Sequence, residues 1–273
     1  VAHDRMAGPF LVIDGGALCP APEELIFQLF QCEDFVPFLT KCYELCGCYS
    51  VPMKKNERQT LSKALVLTTP EAARGYIARL NMAGGKVAAQ KALCYVLPNS
   101  ASPMETYLVI LLILPPRLGG YGFPPPKLNW KIMPPRTAAN RHPQPFYLDV
   151  FWPEFNLALE YDSDDHHFAD RESAYRDADR RAILKQMGIE VISVTRGQIQ
   201  SIPKMDNVAR AIAAHMGRKI RLNREGYQDK RLELHAQLFP RLYCGEITPV
   251  SCYEPDALPL PYPTPSSAPF DSC

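Results

Sequence analysis

The chain has 273 residues, 47% of them apolar, with 30 basic and 29 acidic side chains giving a net charge of +1. That is enough for one large or two small domains with a real core. It excludes a global basic field, so any binding of nucleic acid must use a local basic face.

The nine cysteines are an odd count, and no secretory leader pattern stands at the N-terminus. The expected setting is therefore reducing and cytoplasmic, with mostly free thiols. The longest apolar run, 107–114, is far shorter than the roughly 20 residues that span a bilayer, so no membrane partner is expected.

In chain order, residues 20–47 read as helical. Glu24, Leu25, Phe27, Gln28 and Leu29 open one amphipathic segment, and Phe38, Leu39, Cys42 and Leu45 recur at helical spacing in a second. "GCYSVP" breaks the pattern, and further helices are expected over 70–82 and 86–96. This mainly helical region, 1–98, carries no chemical motif. Cys42, Cys46 and Cys48 lack the second ligand pair of a structural zinc site and read as free or buried thiols.

A new unit begins at "PNSASPMET", 98–106. Ser102 suits an N-cap, Pro103 the first helical position and Glu105 a capping box, so a helix is expected to about Leu114. "PPRLGGYGFPPP" follows as a loop. Its "GGYG" lacks the strand–turn–helix setting of a phosphate-binding loop and reads as a flexible turn. Strands are expected at 127–133, 146–152 and 157–162. They are followed by a charged helix at 171–187 ended by Gly188, a β-branched strand at 189–195 and an amphipathic helix at 204–219. The order α-β-β-β-α-β-α over 99–222 indicates an α/β or α+β domain. Residues 223–239 allow an extra helix, and the proline-rich, aperiodic stretch 240–273 reads as a mobile tail.

The chemistry concentrates in "LDVFWPEFNLALEYDSDDHH", 148–167. Strand alternation puts Leu148, Val150 and Trp152 on one face and Asp149 and Phe151 on the other. In the next strand Leu157, Leu159 and Tyr161 oppose Ala158, Glu160 and Asp162. A four-residue turn pairs Trp152 with Leu157, and hence Asp149 with Glu160, with Cβ atoms about 4.5–5.5 Å apart. Like charges so placed are destabilising unless neutralised. Mg²⁺ or Mn²⁺, which takes carboxylate, water and phosphate oxygens, would do that. A register shifted by one residue would leave the carboxylates solvated instead.

Asp149, ten residues, then Glu160-Tyr161-Asp162 resembles the active-site core of the PD-(D/E)XK, or restriction-endonuclease-like, nucleases. Residues 99–200 are similar to a bacterial group of endonuclease-like domains related to the very-short-patch mismatch-repair endonuclease. That group shows a strand Asp, Glu-x-Asp-Gly-x-x-His, Asp-x-x-Arg and Leu-x-x-x-Gly. The matching residues are Asp149; Glu160, Asp162 and His166; Asp177 and Arg180; and Leu184 and Gly188. Glu105 matches the acidic residue on the helix before the sheet. Ser163 stands where the group has Gly, and Asp162 where the wider superfamily has Lys.

The resemblance implies a restriction-endonuclease-like mixed sheet flanked by helices, preceded by the helical N-terminal region. It implies Asp149 and Glu160 as metal ligands with Glu105 in the metal's shell, and Asp162 as a further ligand or a residue orienting water. His166, rather than His167, would be the general base or the donor to the leaving oxygen. Arg180 and Asp177 would hold substrate phosphate or the catalytic loop, and Arg141 would contact the substrate, with Lys127, Lys131 and Arg136 near the same backbone. Simpler roles stand beside these: capping for Glu105, an ordinary helical ion pair for Asp177 and Arg180, and a solvated loop for the histidines. Arg171, Arg176, Arg181 and Lys185 add a basic side to their helix, and Arg210, Arg218, Lys219, Arg221 and Arg224 form another basic stretch.

The activity implied is Mg²⁺-dependent cutting of DNA, in repair, phage defence or a mobile element. The alternative is a catalytically silent nuclease fold acting as a DNA-binding or antitoxin-like regulatory module, its N-terminal region binding a protein partner.

Overall fold

Gly47, Pro115, Gly188, Gly217 and Pro240 each stand two residues past a helix end, close to where the sequence places those ends. The structure is a computed structural model. It describes residues 10–12, 18–51, 65–81, 84–136, 143–162, 171–223 and 225–243, and of 10–12 and 171–177 the backbone alone. His166, His167, Arg141, Arg224 and the tail from 244 lie outside the described residues, as do the side chains of Arg171, Arg176 and Asp177.

A short antiparallel hairpin, β1 (Phe10–Val12) with β2 (Leu18–Pro20), precedes helices α1 (Pro22–Cys32), α2 (Phe35–Leu45), α3 (Pro70–Arg79) and α4 (Lys86–Leu93). The hairpin is not expected from the sequence, because three-residue strands carry no readable alternation. The four helices form as expected. Cys42 and Cys46 are buried free thiols, as the sequence suggests; burial pushes Cys46 up to about 12 and Cys42 well above its ordinary value.

Helix α5 (Pro103–Ile113) is apolar all round, and from Leu108 to Ile113 every residue is buried. A helix of that kind belongs inside a core. It lies among α2, β4 (Phe146–Trp152), α7 (Arg196–Ile199) and α9 (Tyr227–Leu238). The remaining elements are β3 (Lys127–Ile132), β5 (Leu157–Asp162), α6 (Arg171–Gln186), β6 (Glu190–Thr195) and α8 (Ile202–His215). The fold is therefore mixed α/β, with a four-stranded mixed sheet flanked by helices. Its order is β3-β4-β5-β6, antiparallel except for the parallel pair β5 and β6. Helix α6 makes the crossover that a parallel pair requires.

One apolar cluster joins α1, α2, α5, α8 and α9 to Val150, Trp152, Leu157 and Leu159. A second, smaller one under α6 holds Leu148, Phe151, Ala158, Leu184 and Ile189. The N-terminal helices thus share a continuous core with the sheet. The segment over 223–239 is an integral part of it, since Tyr227, Arg231, Leu234 and His235 are all buried. The "GGYG" segment is not a flexible turn. Gly119, at φ +88°, and Gly120 are buried against α9 and Leu114, and a Cβ would collide with the Lys230 carbonyl at the first and with the Leu114 carbonyl at the second.

Candidate active site

The predicted hairpin register holds. Trp152 faces Leu157, Phe151 faces Ala158 and Val150 faces Leu159, with Asn156 in the left-handed conformation at the turn. Continued by one pair, that register brings Asp149 opposite Glu160. Regular pairing stops there because the Asp149 carboxylate takes over: its Oδ2 accepts the Tyr161 N–H at 2.8 Å.

The expected sharing of one face by Leu148, Val150 and Trp152 does not hold. Leu148 lies in the cluster under α6, while Val150 and Trp152 lie in the α5 cluster. The reason is local. The β3–β4 ladder skips one pair between Leu128↔Val150 and Trp130↔Leu148, and the residue skipped on β3, Asn129, has φ +47°. A left-handed residue resets the pleat, as at a bulge. The break falls at Asp149, in the middle of β4, where its side chain turns to the Tyr161 N–H.

Glu105 reaches the same place from α5. The Ser102 hydroxyl accepts the Glu105 N–H at 3.2 Å, as an N-cap should. The reciprocal half of the expected capping box is replaced: Glu105 Oε2 accepts the N–H of Ala101, one residue further back, at 3.0 Å. The carboxylate is 8% exposed.

Glu160 points toward α6. The Arg180 guanidinium donates to Glu160 Oε1 at 2.9 Å and to the Tyr147 carbonyl at 2.5 Å, and lies 5.6 Å from the centre of the Phe146 ring. Arg180 thus holds Glu160 and the start of β4, and it also lines the cleft beside them. Asp162 is exposed at the end of β5, opposite Thr195, on the Glu160 side of the strand. A cleft of about 160 Å³ is lined by Glu160, Asp162, Arg180, Arg181 and Ser193.

Electrostatics ties the three buried acids together. Burial and then the charge of Asp149 push Glu105 up to about 7. Burial pushes Glu160 up to about 7 as well, with Asp149 adding to the rise and Arg180 opposing it. Asp149 is also raised by burial, against the lowering effects of the Tyr161 N–H and Arg180. Asp149 and Glu160 thus share one guanidinium with Glu105 as a third acid beside them, and burial with the charge of Asp149 holds protons on both glutamates near neutrality.

The donors are hard carboxylate oxygens, which suit Mg²⁺ or Mn²⁺. Asp149 Oδ1 and Glu160 Oε2 accept no hydrogen bond among the described residues. Among those residues, however, no three His, Cys, Asp or Glu side chains are gathered closely enough to ligate one ion as they stand. The site fits a hard cation in donor type and charge, and loading it requires the carboxylates to turn.

Sequence reasoning singled out Asp149, Glu160 and Glu105, which the structure brings near one another, and gave no sign of Asn129, Ala101 and Tyr147, which shape the surroundings through backbone groups. Asn129 alone left a trace, since Asn is a residue type that tolerates the left-handed region. Comparison with protein-family models, curated proteins and solved structures finds no match to this chain.

Proposed function

We propose that this protein is a restriction-endonuclease-like, Mg²⁺- or Mn²⁺-dependent nuclease acting on DNA, with Asp149 and Glu160 as the residues that hold the metal. One observation carries the reading: Glu105, Asp149 and Glu160, from α5, β4 and β5, lie close enough that Asp149 raises the proton affinity of both glutamates and Glu105 that of Glu160. A folding core has no use for surplus buried negative charge, whereas a cation site requires it. The element order from α5 to β6, with its parallel β5–β6 pair, also supports it.

When bound, a divalent cation would neutralise this charge and polarise a phosphodiester and a water. The chain's own residues do the rest. Arg180 fixes Glu160 and β4, the Tyr161 N–H orients Asp149, and Arg181 lines the cleft as a cation for substrate phosphate. Asp162 orients water at the exposed rim. His166 is the proposed proton carrier, and Asp177 and Arg141 the proposed further contacts to the DNA strand.

The second reading, a catalytically silent DNA-binding or regulatory module, is favoured by the hydrogen bonds that already occupy Glu160 and Asp149 and by the lack of a closed ligand set among the described residues.

The deciding experiment incubates the protein with plasmid and single-stranded DNA in Mg²⁺, Mn²⁺ or EDTA, beside Glu160→Ala. Cutting that needs metal and is lost in Glu160→Ala supports the nuclease. Metal-dependent cutting that survives Glu160→Ala overturns the site assignment, and folded protein that cuts nothing supports the silent module.

A further inference from the structure

A second concavity, of about 210 Å³, lies between the 116–123 loop, the segment after α8 and the start of α9. It shares no lining residue with the carboxylate cleft. Tyr121, Phe123 and Tyr227 supply aromatic lining, and Arg218, Lys219 and Arg221 supply charge; no carboxylate lines it among the described residues.

The three cations follow from the local chain. Gly217, at φ +65°, ends α8, and the next residues run without helix or strand assignment. Ile220 and Leu222 pack on the main apolar cluster, and the Leu222 carbonyl accepts Gln228 Nε2 at 2.9 Å. The alternation leaves Arg218, Lys219 and Arg221 exposed beside the cavity. None of them has a carboxylate partner among the described residues.

The floor is rigid. Arg231, 4% exposed, lies 5.7 Å from the centre of the Tyr121 ring and 5.1 Å from that of Tyr227, and is paired with Asp206. Asp206 also accepts the Tyr121 hydroxyl at 2.8 Å, and the Tyr227 hydroxyl donates to the Gly120 carbonyl at 3.1 Å. Arg231 is thus neutralised within the protein, and the unspent charge at this cavity belongs to Arg218, Lys219 and Arg221.

We propose that this cavity is a binding site for a phosphate group. A concave wall with three cations lacking carboxylate partners focuses field on an anion, and arginine forks match phosphate oxygens. The volume is below the roughly 300 Å³ at which small-molecule pockets begin, so it suits one phosphate and not a whole cofactor. A free phosphate monoester and a phosphodiester of a nucleic-acid strand present the same chemistry.

The test uses the full chain in EDTA, so that it is independent of any cutting. Inorganic phosphate, a nucleoside 5′-monophosphate and a single-stranded oligonucleotide with 5′-hydroxyl or 5′-phosphate are titrated at matched ionic strength. Arg218→Ala/Arg221→Ala should weaken at least one of these at least about tenfold, the effect of losing charge-assisted hydrogen bonds. Lys204→Ala/Arg210→Ala, which removes equal charge from exposed positions of α8 outside the cavity, should leave binding within about twofold. Binding of the small phosphates alone identifies a free monoester as the ligand. Binding of both oligonucleotides identifies the strand backbone, and preference for the 5′-phosphate identifies its end. If the first double variant fails to fold, Arg221→Gln, expected to weaken binding by a smaller factor, decides in its place. Equal affinity in the wild type and the cavity variant, or equal loss in both double variants, overturns the proposal.

Discussion

Around Asp206 one carboxylate meets one guanidinium, that of Arg231, and accepts a tyrosine hydroxyl as well. Around Asp149 two carboxylates, its own and that of Glu160, share one guanidinium, that of Arg180, and Glu105 adds a third acid without a cation. Both arrangements lie at junctions between elements, α8 with α9 in the first case and α5, β4, β5 and α6 in the second. The first is balanced and acts as a structural tie. The second keeps excess negative charge that contributes nothing to folding, and that imbalance is why the candidate site is placed there.

The largest expected effect tests the balanced tie. Asp206→Ala leaves Arg231 buried without its partner, and breaking a buried pair in this way costs about 3–5 kcal/mol. Urea unfolding at neutral pH should show that loss. A change below about 1 kcal/mol would mean that the pair is not a structural tie.

Next comes the pH dependence of the unbalanced group. Glu105 and Glu160, raised from 4.5 to about 7, hold protons in the folded state that the unfolded chain releases. Their stabilising contribution is complete below about pH 4.5 and is lost as pH rises through about 7. Glu160→Gln should flatten this decline by on the order of 2 kcal/mol between about pH 5 and 8. Chemical denaturation at the two pH values measures it, and an unchanged slope would show that the acids are not coupled as described.

Arg180→Met sharpens the comparison from the other side. It removes the cation that opposes the rise of Glu160, at a cost of about 1–2 kcal/mol at pH 8 and less at pH 5, where Glu160 is protonated. Adding Mg²⁺ at pH 8 should recover part of that loss, and EDTA should abolish the recovery. A loss equal at both pH values would assign Arg180 a packing role alone.

The smallest expected effect is at Ser102. Its removal as Ser102→Ala costs α5 an N-cap worth about 1 kcal/mol and loosens the turn that presents Glu105. Thermal unfolding gives the size. A larger effect at pH 8 than at pH 5 would show that the cap also positions the carboxylate.

Much of this molecule is legible in its sequence because local signals and tertiary demands agree. Strand alternation and the 153–156 turn are enough to set the hairpin register, and Glu105 stands out as the acid at the start of an otherwise apolar helix. The reset of the pleat at Asn129 is not legible. A single positive φ inverts which residues face α5 and α6, and no period in the sequence encodes that. Nor is the grip of Arg180 on Glu160, since a helix one turn out of phase would present another cation.

The sequence by itself determined most of the elements, their order and the chemical identity of the candidate site. Apolar spacing, caps and turn residues act over a few neighbours, and hard oxygen donors remain hard oxygen donors in any fold. Only the tertiary structure decided which charges are compensated. That depends on how many acids and bases are brought into one desolvated volume, and those residues lie on α5, β4, β5 and α6, tens of positions apart along the chain. It is also what separates Arg231, matched by Asp206, from Arg180, outnumbered by Asp149 and Glu160.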